Sequence, residues 1–436
     1  MINLDLKDSK ENIKLVLEKD YIDRNKYLNG LINILNSLEE SKIIALDGDW
    51  GSGKTFFLKS LKYLMENETT RINNIETESL EKLKREYMIF YYNAWENDDA
   101  SSAMLSLIYK LINDSCLKKN ENKVSLIPNI VNTIIKFKTN GALDLKEDWS
   151  NGQITKEIET SEEIKEKFIE LLNELLVENK NKILIIIDEI DRCKPTFAID
   201  LLENIKHFYD DDRVVFIVGT NNKQLGASVC KVYGEKYDGY TYLDKFFDIN
   251  LELPNNYLEK FINATNEMHS MKYYPYYNCE EMAKQKKLTM REYNRYIKSV
   301  QLIEVYLNTE KNSGDMFVSI FIKHIIIPLC LCMKIKEKEK YYKLLSGDLF
   351  EEIDLLVKSN EIFYETAEEI VNMHNKKILN EIKTTDLTNK EIKNKKIEII
   401  LKELSELYFN LTKNNEYKFW NKKKWEDMLN VISLMN

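Results

Sequence analysis

The first 260 residues alternate short apolar runs with longer stretches that carry apolar residues at helical spacing. The apolar runs cover residues 43–46, 87–92, 183–187 and 214–218. Residues 247–254 alternate apolar and polar side chains at period two and supply a fifth strand, closed by Pro254. The continuous branched-apolar run 183–187 is typical of a strand buried on both faces of a parallel sheet. Helical spacing is found at residues 12–40, 101–112, 161–178 and 195–209. This alternation predicts a doubly wound, mostly parallel, five-stranded α/β sheet whose ligand lies at the carboxyl edge.

The pattern of the rest of the chain is helical. From about residue 308, Lys, Glu, Ile and Leu dominate, and residues 389–411 carry apolar side chains at helical spacing. Residues 316–333 form a membrane-like run, but Lys323 and His324 lie at its centre and Pro328 follows. The uninterrupted apolar length falls short of the roughly 20 residues of a spanning helix. Buried helices are therefore favoured over a membrane contact.

Composition narrows the class of protein. A chain of 436 residues rarely folds around one core, so two or more domains are expected. The formal charge of −9 argues against a protein whose whole surface binds nucleic acid. Residues 419–425 mix aromatic and basic side chains, a pattern that fits a local site for nucleic acid or a membrane surface, but aromatic core contacts beside solvated lysines are favoured. The six cysteines show no paired metal spacing, and the N-terminus is charged throughout. Both features favour a cytoplasmic protein without a secretory signal.

A glycine-rich sequence with a lysine and a threonine follows the first predicted strand. It reads Gly48-Asp49-Trp50-Gly51-Ser52-Gly53-Lys54-Thr55 and leads into a helical stretch that begins with Phe56. Glycines at these positions let backbone amides approach phosphate oxygens at a helix N-terminus. Lys54 is predicted to reach the β- and γ-phosphates, and Thr55 to hold Mg²⁺. The order strand, loop, helix therefore predicts a nucleotide phosphate site.

Polar residues also end the third and fourth predicted strands. Asp188 is placed to bind a Mg²⁺-associated water, and Glu189 can polarise the water that attacks the γ-phosphate. Asn221, with Thr220 beside it, can contact the γ-phosphate and that water, although a simple turn is the alternative for this pair. Lys54, Asp188, Glu189 and Asn221 are thus the predicted catalytic residues.

Four segments, taken in order, resemble the blocks of the KAP family of P-loop NTPases. They are Trp50-Gly51-Ser52-Gly53-Lys54-Thr55, Asn93-Ala94-Trp95-Glu96, Ile187-Asp188-Glu189-Ile190-Asp191-Arg192-Cys193 and Tyr242-Leu243-Asp244-Lys245-Phe246-Phe247, within residues 21–307. The resemblance implies an ATPase that uses ATP and Mg²⁺, with an additional strand between the phosphate-loop strand and the acidic strand. Family members occur in bacterial phage-exclusion and defence loci, and some eukaryotic members act as membrane scaffolds.

The chain departs from the family pattern at two places. Glu189 stands where the family usually has a second aspartate, which keeps the acidity and lengthens the side chain. Many members also carry transmembrane helices between the phosphate loop and the acidic motif. Residues 100–179 contain no apolar run long enough to span a bilayer. No membrane span is therefore expected.

The pattern and the resemblance together divide the chain into three parts. Residues 1–260 are the expected KAP-type core, with a helical and polar insertion at residues 99–179 that contains Asn140-Gly141. Residues 261–310 are the expected helical lid, and residues 311–436 the expected α-helical C-terminal domain.

The resemblance implies further contacts to the nucleotide. Arg24 or Tyr27 is placed near the base or the ribose, and Arg291 is placed in the lid as a sensor of the phosphates. Arg295 is four residues from Arg291, so the two share a helix face; a structural salt-bridged pair is the alternative. The implied nucleotide contacts of the loop are Gly48, Asp49, Trp50, Gly51, Ser52, Gly53, Lys54, Thr55 and Phe56.

Arg295 and two more cations, Arg192 and Lys245, are implied as trans or switch residues. Arg192 is placed at the edge of the nucleotide site, where it contacts phosphate or braces a neighbouring subunit; a surface pair with Asp191 is the alternative. Lys245 precedes the fifth strand, where related ring-forming ATPases present an arginine finger. Lysine lacks the planar fork of arginine, so it would stabilise transition-state charge more weakly.

Two classes of function follow from these expectations. In the first, ATP hydrolysis drives a conformational or assembly cycle in defence against phage, with further copies of the chain or a companion defence protein as partners. In the second, the chain is a nucleotide-held scaffold with slow turnover, and partner binding is its output. A small-molecule kinase is disfavoured because Asp188-Glu189 supplies a water-activating carboxylate and no acceptor site is evident.

Overall fold

A computed structural model describes most of the chain. The described residues are 8–68, 72–100, 102–118, 169, 172–173, 176, 180–207, 211–254, 257–269, 274–309, 316–375, 378–379, 388–414 and 430–432. Two compact units divide the chain, Leu6–Asn255 and Asn256–Asn436.

A parallel sheet forms the centre of the first unit. Its strands are β1 (Lys42–Asp47), β2 (Tyr87–Asn93), β3 (Lys182–Asp188), β4 (Val214–Thr220) and β5 (Ile249–Glu252). Their order is β2-β3-β4-β1-β5, and every neighbouring pair is parallel. β4 lies between the phosphate-loop strand β1 and the acidic strand β3, as the resemblance implies. The predicted five-stranded parallel α/β fold is confirmed.

The register of the sheet aligns the polar ends of four strands. Asp188 at the end of β3 pairs with Asn93 at the end of β2. Asp47 at the end of β1 pairs with Thr220 at the end of β4. Because parallel strands end at the same edge, these side chains and the loop after β1 meet there.

Helices cover both faces of the sheet. They are α1 (Lys10–Lys19), α2 (Asn25–Ser37), α3 (Lys54–Glu66), α4 (Thr77–Glu86), α5 (Ala103–Lys118), α6 (Pro195–His207), α7 (Asn222–Tyr233) and the short α8 (Gly239–Leu243). Side chains of α1 to α4 pack on one face with Ile44, and those of α5 to α7 pack on the other with Ile43. Successive strand residues point to opposite faces, so two apolar cores form, one on each side.

The helical lead-in to the phosphate loop is two helices rather than one. α1 ends at Lys19. The next residue, Asp20, has φ 46°, and Asp23 has φ 53°, so the backbone is left-handed at both positions. The Asp20 carboxylate accepts the Asn25 amide at 3.0 Å and the Asn74 side-chain amide at 2.9 Å. Aspartate tolerates this conformation when its side chain bonds locally, which the spacing of apolar residues does not reveal.

The described part of the second unit is helical. Its helices are α9 (Leu258–His269), α10 (Tyr274–Gln285), α11 (Met290–Thr309), α12 (Met316–Phe321), α13 (Ile327–Lys336), α14 (Lys338–Leu345), α15 (Glu351–Ser359), α16 (Glu361–His374) and α17 (Asn389–Phe409), with π turns at Ile322–Ile326 and Asn410–Asn414. α10 and α11, from the predicted lid, pack against α13 of the predicted C-terminal domain. The division into a lid and a C-terminal domain stays a prediction.

One helix among the described residues is long and apolar enough to cross a membrane. It runs continuously through α12, the π turn and α13, from Met316 to Lys336, over 21 residues. Lys323 and His324 lie inside the π turn, and the helix continues beyond them. Of the most apolar 18-residue segment of this helix, 67% is buried inside the fold, which favours the predicted buried helix over a membrane span.

Three expectations fall mainly outside the described residues. They concern the polar insertion around Asn140-Gly141, the helix at residues 161–178 and the aromatic and basic run 419–425.

Candidate functional site

The loop between β1 and α3 has the backbone of a phosphate-binding turn. Gly51 and Gly53 have φ 83° and 89°, which L side chains rarely adopt. A Cβ on Gly48 would lie 2.9 Å from Ser52 Oγ, so a side chain at this position would force the Ser52 hydroxyl to move. The amides at the start of α3 have no partner inside the helix and meet the loop. The turn and the helix N-terminus together favour an anion.

Lys54 lies against the loop that it follows. Its ammonium donates to the carbonyl of Gly48 and to the carbonyl of Asp49 at 3.3 Å, and the residue is only 8% exposed. Burial lowers the pKa of Lys54, and the carboxylates of Asp191, Asp188, Asp47 and Asp49 oppose that shift. The charge is therefore held at the loop among acidic groups.

Asp188 joins three elements of the first unit. Its carboxylate accepts the Tyr91 hydroxyl of β2 at 2.7 Å, its own next amide at 2.9 Å, and the Thr55 hydroxyl of α3. The residue is 1% exposed, and burial raises its pKa while these hydrogen bonds lower it. The two predicted Mg²⁺ residues, Thr55 and Asp188, are thus in direct contact.

Glu189 is held in a strained conformation beside two partners. Its φ of 61° is unusual for a residue with a side chain, and such strain is concentrated at functional sites. Arg192 Nη2 lies 3.0 Å from Glu189 Oε1, and Asn93 Nδ2 lies 3.4 Å from Oε2. Burial raises the pKa of Glu189, and Arg192 partly offsets this.

Asp191 and Arg192 have different partners, so the surface pair considered from the sequence is not what the structure shows. Asp191 accepts the indole N–H of Trp50 at 2.5 Å, which ties the phosphate loop to the turn after β3. Arg192 pairs with Glu189, and its guanidinium lies 5.4 Å from the centre of the Trp95 ring. Arg192 therefore contacts the predicted base directly.

Two polar residues, Thr220 and Asn221, lie at the carboxyl end of β4. Asn221 Oδ1 accepts the Gln224 amide at 3.1 Å and caps α7, which is the turn-forming role left open beside the sensor role. Thr220 is fully buried, and its hydroxyl has no hydrogen-bond partner among the described residues. The Ser52 hydroxyl in the phosphate loop is also buried without one. Two orphaned hydroxyls at this edge fit a ligand rich in oxygen, such as a triphosphate.

A comparison with protein families agrees with this geometry. The model of the family described as "KAP family P-loop domain" matches residues 24–312. The chain belongs to the KAP family. It is therefore a nucleotide-binding protein of the P-loop NTPase type, and the candidate site lies inside the KAP domain.

Two solved structures similar to this KAP chain are Drosophila complexes. One is titled as ORC bound to poly(dA/dT) DNA and Cdc6, with 9% identity, a TM-score of 0.33, and coverage of 98% of this chain and 71% of the other. The second is titled as ORC bound to GC-rich DNA and Cdc6, with 10% identity, a TM-score of 0.32 and the same coverages of 98% and 71%. A search of the curated proteins finds no match.

Gly219 is a site residue that the sequence reasoning missed. A Cβ at this position of β4 would lie 2.7 Å from Asp188 Oδ1 and 2.7 Å from Leu58 Cδ1. A larger residue at this position would force the Asp188 carboxylate and the Leu58 side chain to move. The available signal was a glycine inside an otherwise branched-apolar strand, which often marks a close approach.

Arg24 supports the phosphate loop of the KAP domain from the junction of α1 and α2. Its guanidinium donates to the carbonyl of Ser52 and to the carbonyl of Gly53 at 3.3 Å, and the residue is 8% exposed. The sequence placed Arg24 near the base or the ribose, and that contact stays a prediction. The structure shows a contact with the loop backbone itself, which spacing along the chain could not reveal.

We expect Arg24→Ala to weaken ATP binding about 10-fold, because unpaired buried carbonyls cost about 1–3 kcal/mol in the loop conformation that binds phosphate. Arg24→Lys keeps the charge but loses the planar fork, so an intermediate loss is expected. Titration of a fluorescent ATP analogue measures both. Arg85→Ala, an exposed arginine of α4, is the control. Native affinity in Arg24→Ala would contradict the role as a support of the loop.

The structure also places the remaining residues that the family resemblance implied. Phe56 is partly buried and packs on the apolar core beside α3. Lys245 is exposed before β5, with its ammonium 5.9 Å from the centre of the Tyr242 ring. Arg291 and Arg295 are exposed on α11 in the second unit, and neither forms an ion pair with another described residue. Their roles toward nucleotide or a neighbouring subunit stay predictions.

Proposed function

We propose that this KAP chain binds ATP with Mg²⁺ and hydrolyses it to drive a conformational or assembly cycle. The observation that carries the proposal is the contact between the Thr55 hydroxyl and the Asp188 carboxylate beside the glycine loop. A hydroxyl and a carboxylate are oxygen ligands of the kind that Mg²⁺ takes together with phosphates. When bound there, Mg²⁺ supplies positive charge that stabilises the phosphate oxygens during transfer.

The loop and Lys54 bind the phosphates in this proposal. Amides of the turn and of the first turn of α3 donate to phosphate oxygens, and the ammonium of Lys54 adds a charge-assisted contact. The Lys54 side chain is long and flexible, and it now donates to the carbonyls of Gly48 and Asp49. Rotation of its last bonds exchanges these carbonyls for phosphate oxygens.

Glu189 and Thr220 act on the attacking water. Glu189 follows Asp188 at the carboxyl end of β3, and burial raises its pKa, which strengthens its carboxylate as a proton acceptor. The buried hydroxyl of Thr220, at the end of the neighbouring strand β4, donates to the γ-phosphate or to this water. Asn221 keeps the predicted sensor role through its side-chain amide, since its oxygen caps α7.

A nucleotide-held scaffold is the second candidate, and one contact favours it. The carboxylate of Glu189 is paired with Arg192 at 3.0 Å and lies 3.4 Å from Asn93. A base engaged by a cation accepts a proton less readily, so turnover in this arrangement is slow. Phosphate release by the native chain and by Glu189→Gln separates the two candidates. Equal, negligible release with retained ATP binding supports the scaffold, and absence of ATP binding overturns both.

The biological setting that we propose is defence against phage. It is supported by the family, whose bacterial members occur in phage-exclusion loci. Cells that express the native chain are expected to reduce phage plating, and cells that express Lys54→Ala are expected to plate phage like cells without the gene. Equal plating with native chain, Lys54→Ala and empty vector, over a broad phage panel, would count against this setting.

A further inference from the structure

We propose that Tyr91 is a positioning residue that orients Asp188 for Mg²⁺, an inference that rests on the proposed function. No part of the phosphate-loop or acidic motif contains Tyr91, which lies in β2 two residues before Asn93. Its hydroxyl donates to Asp188 Oδ2 at 2.7 Å across the pair β2 and β3.

The two oxygens of Asp188 have separate donors. Oδ1 accepts the backbone amide of Glu189 at 2.9 Å, and Oδ2 accepts the Tyr91 hydroxyl. One donor on each oxygen fixes the rotation of the carboxylate about its last bond. The Thr55 hydroxyl reaches the same carboxylate, so the orientation that Tyr91 sets is the one in which Asp188 faces its partner in the metal site.

The ring of Tyr91 is itself held by α3, the helix that carries Thr55. The ammonium groups of Lys59 and Lys62 lie 5.2 and 5.8 Å from the ring centre. Thr55, Lys59 and Lys62 follow the spacing of one helix face. The ring also packs on the apolar core of that side of the sheet. Tyr91 is thus placed by the same helix that places Thr55, and its hydroxyl transmits that position to Asp188.

Orientation of this kind acts on metal affinity rather than on nucleotide contacts. Partners that orient metal ligands typically change metal affinity or activity by about 10- to 100-fold when removed. The Tyr91 hydroxyl donates to Asp188, whereas Lys54 and Arg24 donate to the loop carbonyls. Loss of its hydroxyl therefore leaves metal-free nucleotide binding intact.

The test compares binding of a fluorescent ATP analogue in EDTA and across a Mg²⁺ titration, without reference to turnover. Tyr91→Phe is expected to raise the Mg²⁺ concentration for half-maximal binding about 10-fold, with EDTA affinity unchanged. Tyr92→Phe is the matched control, because Tyr92 is the next residue and its hydroxyl bonds Ser106 at 3.0 Å instead. Thermal unfolding of both variants checks that they fold.

Three outcomes decide between the claims. A shifted Mg²⁺ requirement in Tyr91→Phe, absent in Tyr92→Phe, supports the positioning role. Identical Mg²⁺ titrations in all three proteins overturn it and leave the proposed function standing. A native chain that binds no nucleotide, or binds it without any effect of Mg²⁺, overturns the proposed function instead.

Discussion

Glu189→Gln is expected to lower the rate of phosphate release about 100- to 10,000-fold, the usual range for loss of a positioned general base. The amide has nearly the same size as the carboxylate, so the turn after β3 keeps its shape. It cannot accept a proton from water, and the loop and Lys54 still bind the phosphates. We therefore expect ATP affinity to change little. Single-turnover phosphate release and titration of a fluorescent ATP analogue measure the two quantities.

The control for this substitution is Glu96→Gln. The Glu96 carboxylate accepts the same Asn93 side chain, at 2.9 Å, but Glu96 is exposed and lies after β2. It therefore reports the loss of a carboxylate beside Asn93 without loss of the base. A native rate in Glu189→Gln, with measurable release, would show that another group activates the water.

The raised pKa of Glu189 predicts how phosphate release depends on pH. Burial raises this pKa, chiefly by desolvating the carboxylate. Activity needs the ionised form, so phosphate release falls as pH falls through the raised pKa. Glu189→Gln removes this titrating group, so the residual rate of phosphate release in the variant should not fall over the same pH range.

Lys54→Ala is expected to weaken ATP binding about 10- to 100-fold, because a hydrogen bond to a charged group contributes about 1.5–3 kcal/mol. Hydrolysis should fall below detection, since the same ammonium neutralises charge on the transferred phosphate. The side chain packs little apolar surface, so the chain should still fold. Titration calorimetry and circular dichroism measure binding and folding.

Lys390→Ala is the matched control, because it removes the same charge from an exposed lysine near the start of α17. It should bind ATP like the native chain. Full hydrolysis in Lys54→Ala would contradict the assignment of the loop. Loss of folding would show that the ammonium, which faces Asp191, Asp188, Asp47 and Asp49, holds these carboxylates together.

Several features of the fold could be predicted from the amino-acid sequence. The segments predicted as strands are strands in the structure. In β3 and β4, branched-apolar side chains fill both faces of a covered parallel sheet. The break between α1 and α2 could not be predicted from the sequence. It depends on left-handed backbone at Asp20 and Asp23, and the carboxylate of Asp20 bonds to Asn25 and Asn74. Asn74 lies 54 residues beyond Asp20, so no local pattern records the contact.

The chain's own order of residues determined the sheet, the glycine loop and the acidic pair, because these features depend on periodicity and on neighbours one to seven positions apart. Tertiary structure alone decided which groups meet at the edge. It placed Tyr91 on Asp188, Arg24 on the loop carbonyls, Trp50 on Asp191 and Gly219 against Leu58. The physical reason is the parallel register, which brings together the ends of strands that are distant in sequence.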